Sequence, residues 1–180
     1  GSSDAATTLK VLNHIWNINL DYKTLSQIGL KLGADVPIFI LGRNCWAEGV
    51  GELLSPMTLP EKYYVVLIPN VHISTAKLFT AANLKRNCNK IDRLSLASNH
   101  LDKNFDKFIA KTENIFEPLV RKGYPEIESA FTALAEYGKP RLTGTGACLF
   151  INLKTQQQCI DIVKELENKF AVFYAKGRTD

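Results

Sequence analysis

The order of strand-like and helix-like segments predicts an α+β protein with helices packed on an antiparallel sheet. Three observations carry that prediction. Apolar runs are short: Tyr63-Tyr64-Val65-Val66-Leu67-Ile68 and Val36-Pro37-Ile38-Phe39-Ile40-Leu41 have the length of buried core segments, far below the ~18 apolar residues of a membrane span. Stretches with helical spacing, such as Leu9, Leu12 and Trp16, are interspersed with β-rich runs. Finally, the 180 residues are 46% hydrophobic and 22% charged, enough apolar material to offset chain entropy and to exclude disorder as the main state.

Along the chain, a first helix is expected from Asp4 to Trp16, with Ser3 as N-cap and Asp4 suited to the positive first turn. A second runs from about Thr24, a plausible cap, to Leu32, and Gly33 stops it. The apolar stretch after Gly33-Ala34-Asp35-Val36-Pro37 leads into Cys45–Glu52, whose glycines read as a strand and a turn. Pro56 and Pro60 bracket a boundary. Beyond it, Tyr63–Ile68 reads as a strand closed by Pro69-Asn70. A helix from Thr75 to Ala82 follows, then a polar stretch through Asn99, then helical patterns over 103–110, 113–121 and 125–137. Arg141–Thr143 and Ala147–Asn152 read as strands around Gly144-Thr145-Gly146. A helix over Thr155–Lys169 and a strand over Ala171–Ala175 complete the chain.

Charge excludes little by itself. Lys+Arg exceeds Asp+Glu by 22 − 18, a net +4, and basic residues alternate with acids as in Asp102–Lys107, the pattern of a solvated helix face rather than of a nucleic-acid surface. The four cysteines, Cys45, Cys88, Cys148 and Cys159, form no CxxC and have no His at zinc spacing, so a reducing cytoplasmic setting is expected. His14, His72 and His100 are scattered, and His14 is expected on a helix surface. No secretory signal is visible and the first residue is not Met, so the chain is expected to start after processing, cloning or truncation.

Three segments could carry chemistry. Gly1-Ser2-Ser3-Asp4 opens a helix, whose unpaired N–H groups and dipole suit a phosphate; it is equally an ordinary helix start or a cloning remnant. In Gly33-Ala34-Asp35-Val36-Pro37, Pro37 restricts Val36 to extended backbone, which would make Asp35 a stiff, half-buried carboxylate able to accept a proton or orient a hydroxyl. The alternative is a plain N-cap before Val-Pro. Leu142–Cys148 holds a Gly-x-Gly that is a tight hairpin at minimum and an anion-binding turn at most, while Cys148 reads as a small hydrophobe.

Taken in order, these segments resemble the later two-thirds of a GHMP-type small-molecule kinase. The residues carrying the likeness are Gly1–Ala6, Leu12-Asn13-His14, Leu32–Pro37, Ala47-Glu48-Gly49-Val50-Gly51-Glu52, Arg141–Cys148 and Ala175-Lys176-Gly177. The resemblance implies a two-domain architecture: residues 1–57 as part of a ribosomal-S5-domain-2-like ATP-binding domain, and 58–180 as a ferredoxin-like C-terminal domain. It implies ATP and Mg²⁺ as cofactors, and phosphorylation of the 2-hydroxyl of a cytidine-diphosphate-linked methylerythritol in isoprenoid synthesis. The partner expected is this small molecule, with neither nucleic acid nor membrane involved. Phosphoryl transfer rests on positioning and charge stabilisation. In this reading Gly1, Ser2 and Ser3 are the tail of the phosphate loop and Asp35 is the acid–base residue. Gly144, Thr145 and Gly146 close the site, and Thr75 and Phe79 lie near the cytidine. A ring at Phe79 stacked on cytosine is worth ~1–3 kcal/mol; the alternative is a core aromatic.

The family carries a further N-terminal segment with a lysine that pairs with the catalytic Asp, and it runs on a little past Asp180. The 180 residues alone are therefore expected to be inactive, and a missing N-terminal segment or a partner chain is expected to complete the site. Leu9, Leu12 or Trp16 should then be partly exposed. Two other readings stay open: a non-catalytic α+β remnant or binding module from about residue 58, and a different GHMP kinase.

Overall fold

A computed structural model describes residues 1–88, 91 and 101–178. They form two compact units, Gly1–Leu59 with Arg178, and Pro60–Gly177. The polar stretch expected through Asn99 falls largely outside the described residues.

The first unit contains α1 (Ser2–Ile15), α2 (Tyr22–Leu32), α3 (Val36–Leu41) and a hairpin of β1 (Cys45–Glu48) and β2 (Leu53–Pro56). Helix α1 starts earlier than the sequence predicts, with Gly1 rather than Ser3 at the N-cap. The cap of α2 is Asp21, whose carboxylate accepts from the Thr24 N–H at 2.8 Å; Thr24 itself lies inside the helix. At α2 the Asp21 carboxylate is a better cap than the Thr24 hydroxyl and lengthens the helix, whereas Gly1 caps α1 by position only, with no side-chain hydrogen bond. Gly33 ends α2 as expected.

Val36–Leu41 is a helix, as the N-cap alternative for Asp35 expects, and the extended backbone expected at Val36 is corrected. The pre-proline restriction on Val36 gives way because Pro37 sits in the first turn, where its missing N–H has no helical partner to lose. Burial of Val36, Pro37 and Ile40 stabilises the turn, with Val36 and Ile40 joining Ala6 and Leu25 in a small core. Asn13 ties down the α1–α2 connection: its amide donates to the Leu20 carbonyl at 3.1 Å and its oxygen accepts the Leu20 N–H at 2.9 Å. His14 is exposed. Leu9 and Leu12 are only partly buried and Trp16 is 64% exposed, as expected for this face of α1.

The second unit is a four-stranded antiparallel sheet in the order β4-β5-β3-β6, formed by β3 (Tyr63–Ile68), β4 (Arg141–Leu142), β5 (Leu149–Leu153) and β6 (Ala171–Lys176). Register pairs Val65 with Ile151 on one side and Tyr174 on the other. The helices are α4 (Thr75–Thr80), α5 (Leu101–Ala110), α6 (Glu117–Gly123), α7 (Pro125–Ala135) and α8 (Gln156–Leu166). Alternate residues Val65, Leu67, Leu149 and Ile151 are buried against Ile127, Phe131 and Leu134 of α7 and Cys159 and Ile162 of α8. Helix α8 begins with a capping box: Thr155 accepts from the Gln158 N–H, and the Gln158 side chain accepts from the Thr155 N–H. The Ala175-Lys176-Gly177 segment has a structural use, since the Gly177 N–H bonds the Lys62 carbonyl at 2.8 Å and Lys176 pairs with Glu61. Among the described residues, no helix is long and apolar enough to cross a membrane.

Candidate functional site

In the first unit, the Ala5 N–H makes the opening helical bond of α1, to the Gly1 carbonyl at 2.9 Å. The backbone N–H groups of Ser2, Ser3 and Asp4 thus have no acceptor within the helix, and they stand at its positive end. Ser2 is half-buried and Ser3 exposed. The Gly33–Val36 turn lies beside this end: a Cβ built on Gly33 would stand 3.8 Å from Ser2 Oγ. The turn is closed by the Val36 N–H on the Gly33 carbonyl at 3.1 Å.

Asp35 is the N-cap of α3 by position, with helical backbone angles of φ −88° and ψ −9°. Its carboxylate accepts no capping hydrogen bond. The residue is exposed rather than half-buried, which corrects the sequence expectation. The stiffness expected of it comes from the turn and the buried Val36–Pro37 pair, not from extended backbone at Val36. Asp35 thus occupies a cap position while its carboxylate is uncommitted to that cap.

In the second unit, two sequence-predicted segments come together, the helix that carries Thr75 and Phe79 and the Gly144–Gly146 turn. Thr75 opens α4, after Ser74 as its N-cap. Its hydroxyl meets the Thr145 hydroxyl at 2.9 Å. Phe79, one helical turn later, is 55% exposed and meets Phe116 edge-on at 5.0 Å between ring centres. The expected hairpin between β4 and β5 is present, with the Thr143 N–H on the Cys148 carbonyl at 3.0 Å and the Gly146 N–H on the Thr143 carbonyl at 2.9 Å. Gly146 has φ +95°, a conformation that favours glycine, and a Cβ there would come within 2.8 Å of the tip of the Ile73 side chain, which would have to shift. Cys148 is half-buried beside the turn and unpaired.

Sequence reasoning missed Asn114. Its side-chain amide donates to the Leu142 carbonyl at 3.0 Å and the Gly144 carbonyl at 2.8 Å, while its oxygen accepts the Phe116 N–H at 3.0 Å. One side chain therefore holds both the glycine turn and the residue against which Phe79 packs. An Asn ahead of an apolar helix gives only a local capping signal; partners 28 and 30 residues away leave none. Asn114→Ala should cost about 1–3 kcal/mol in a urea melt, because the partly buried Leu142 carbonyl loses its donor and the partly buried Phe116 N–H its acceptor. A loss too small to measure would mean that water replaces the amide without penalty.

Comparison with known proteins follows the same lines. Residues 1–43 match the model of the GHMP kinases N terminal domain. A protein of Shewanella denitrificans named 4-diphosphocytidyl-2-C-methyl-D-erythritol kinase is 46% identical over 177 residues, which is 98% of this chain and 58% of that protein. One of the same name from Tolumonas auensis is 42% identical over the same shares. A crystal structure of 4-(cytidine 5'-diphospho)-2C-methyl-D-erythritol kinase superposes with a TM-score of 0.75 at 25% identity, covering 97% of this chain and 63% of that one. The fold is thus that of the GHMP kinases, and the resemblance read from the motifs extends along nearly the whole chain. The chain spans about 58% of the length of the curated relatives it matches.

Proposed function

We infer that this chain carries the later part of a kinase that transfers the γ-phosphoryl group of ATP to the 2-hydroxyl of 4-diphosphocytidyl-2-C-methyl-D-erythritol, in non-mevalonate isoprenoid synthesis. One observation carries the reading: 46% identity over 177 residues to a protein of that name. The geometry adds a carboxylate uncommitted to its cap, in a turn next to a helix N-terminus that bears two serines.

The residues present fit a nucleotide phosphate. Three N–H groups without helical acceptors and the hydroxyls of Ser2 and Ser3 form a donor set of the kind that holds phosphate oxygens. Mg²⁺ in such sites is held through substrate phosphates and one or two protein oxygens, and Ser2, Ser3 and Asp35 offer oxygens of that type. Bound together, ATP supplies the phosphoryl group and Mg²⁺ offsets the charge on its oxygens.

In this reading Gly1 lets the backbone approach the phosphates, and Ser2 and Ser3 donate to them. Asp35 accepts the proton of the acceptor hydroxyl or orients its oxygen. Thr75 and Phe79 bind the cytidine side of the substrate. Gly144, Thr145 and Gly146 form the turn that closes on it, held by Asn114. A reducing cytosol is the compartment that suits four unpaired cysteines.

The test is substrate choice. At saturating ligand the cytidine-linked alcohol should raise the melting temperature of the protein as its cell makes it, by linkage worth about 2.7 kcal/mol at a hundred times Kd. Mevalonate and homoserine should not. Stabilisation by either of those instead would assign the chain to another kinase of this superfamily. Phe79→Ala should raise KM for the cytidine substrate about 5–150-fold, the kinetic equivalent of ~1–3 kcal/mol of stacking. Because Phe79 is largely exposed, the melting temperature should barely move. An unchanged KM would return Phe79 to the role of a partner for Phe116.

A further inference from the structure

The hairpin between β1 and β2 has no assigned part in the chemistry, yet its turn presses on the loop that carries Asp35. Gly51 has φ +111°, and a Cβ built there would overlap the carbonyl oxygen of Ala34, with the Ala34 carbonyl carbon at 3.1 Å and its Cα at 3.7 Å. Backbone lies against backbone, so neither side can swing away as a flexible side chain would. The peptide being pressed is the one that joins Ala34 to Asp35.

The turn is itself braced. The Gly51 N–H bonds the Glu48 carbonyl at 3.2 Å, and the Val50 N–H bonds Glu52 Oε2 at 2.7 Å. The Asp35 loop thus has the Gly33–Val36 turn and the α3 core on one side and the Gly51 backbone on the other.

We propose that Gly51 is a positioning residue for Asp35: its bare Cα seats the Ala34–Asp35 peptide and so sets where the carboxylate stands. The inference rests on the proposed role of Asp35. Misplacing a reacting group by about 1 Å costs as much as 100-fold in rate while leaving binding elsewhere intact. The effect should therefore fall on kcat and spare KM for ATP.

Gly49 is the control. It shares the hairpin and the left-handed backbone, with φ +71°, but the atoms nearest a Cβ there belong to the Glu52 carboxylate, and shifting that side chain can cost the Val50 brace while leaving the Gly51–Glu48 bond and the seat on Ala34 in place. In the protein as its cell makes it, Gly51→Ala should lower kcat about 10–100-fold at near-constant KM, and Gly49→Ala by no more than about threefold. In an Asp35→Asn background, Gly51→Ala should add nothing, because both changes act on one group. If Gly51→Ala does not fold, inserting one glycine between Gly49 and Val50, both exposed, lengthens the turn and lifts Gly51 off Ala34 with the strands kept. The same loss of kcat is expected. Equal effects of Gly49→Ala and Gly51→Ala, or a full further loss in the Asp35→Asn background, would overturn the proposal, as would an insertion that leaves kcat unchanged. A parent protein without transfer to the cytidine substrate would instead overturn the reading on which the proposal rests.

Discussion

Asp35→Asn should lower turnover about 10²–10⁴-fold, the range of a positioned proton acceptor, while leaving the melting temperature unchanged. The second half of that expectation comes from the structure. A capping Asp replaced by a residue without the acceptor costs ~1 kcal/mol when its side chain bonds the first-turn N–H groups. Asp35 makes no such bond, and Asn keeps the shape and much of the polarity. The carboxylate is exposed, so no buried charge is released by the change. A kinase role and a capping role therefore predict opposite results: one moves the rate and not the stability, the other the stability and not the rate. Steady-state assays on the protein as its cell makes it, with a thermal melt on the same sample, separate them. A modest fall in both would put Asp35 among structural residues and favour the non-catalytic reading.

Leu134→Ala should destabilise the second unit by about 2–5 kcal/mol, the cost of an unrelaxed cavity in a packed core. Leu134 is fully buried in α7 among Ile127, Phe131, Leu149 and Ile151. Ile127 and Phe131 belong to the face where α7 meets the sheet, and Leu149 and Ile151 to β5 itself, so the cavity cannot collapse without moving β5. Leu32→Ala, at a position 63% exposed, should change stability by no more than about 0.5 kcal/mol. Urea unfolding followed by far-ultraviolet circular dichroism reads both. A Leu134→Ala loss below about 1 kcal/mol would mean that the helix slides to fill the space.

How legible the molecule was in its sequence depended on the range of the interactions. Tyr63–Ile68 was readable to the residue because a β-branched and aromatic run ends in Pro-Asn, both local signals. The turn at Gly144–Gly146 was readable for the same reason, since positive φ at Gly144 and Gly146 is a property of single residues. The backbone of Val36 misled because the local rule for a residue before proline competes with burial of Val36 and Pro37, and tertiary packing won. The exposure of Asp35 had no local signal at all. The partnership of Thr75 with Thr145 spans 70 residues, and Asn114 reaches carbonyls 28 and 30 residues away. Each looks ordinary in its own segment. Gly51 stood in a motif that marked the resemblance, but its contact with Ala34 becomes visible only when the hairpin is folded. What the sequence conveyed was residue types suited to phosphate and hydroxyl chemistry; what it withheld was the bracing that sets them in place.

The most direct measurement is phosphotransfer by the protein as its cell makes it, with γ-labelled ATP offered the cytidine-diphosphate-linked methylerythritol, mevalonate and homoserine in parallel. The account predicts label on the 2-hydroxyl of the cytidine-linked alcohol alone, abolished by Asp35→Asn. Label on mevalonate or homoserine in preference, or transfer that survives Asp35→Asn undiminished, would contradict it.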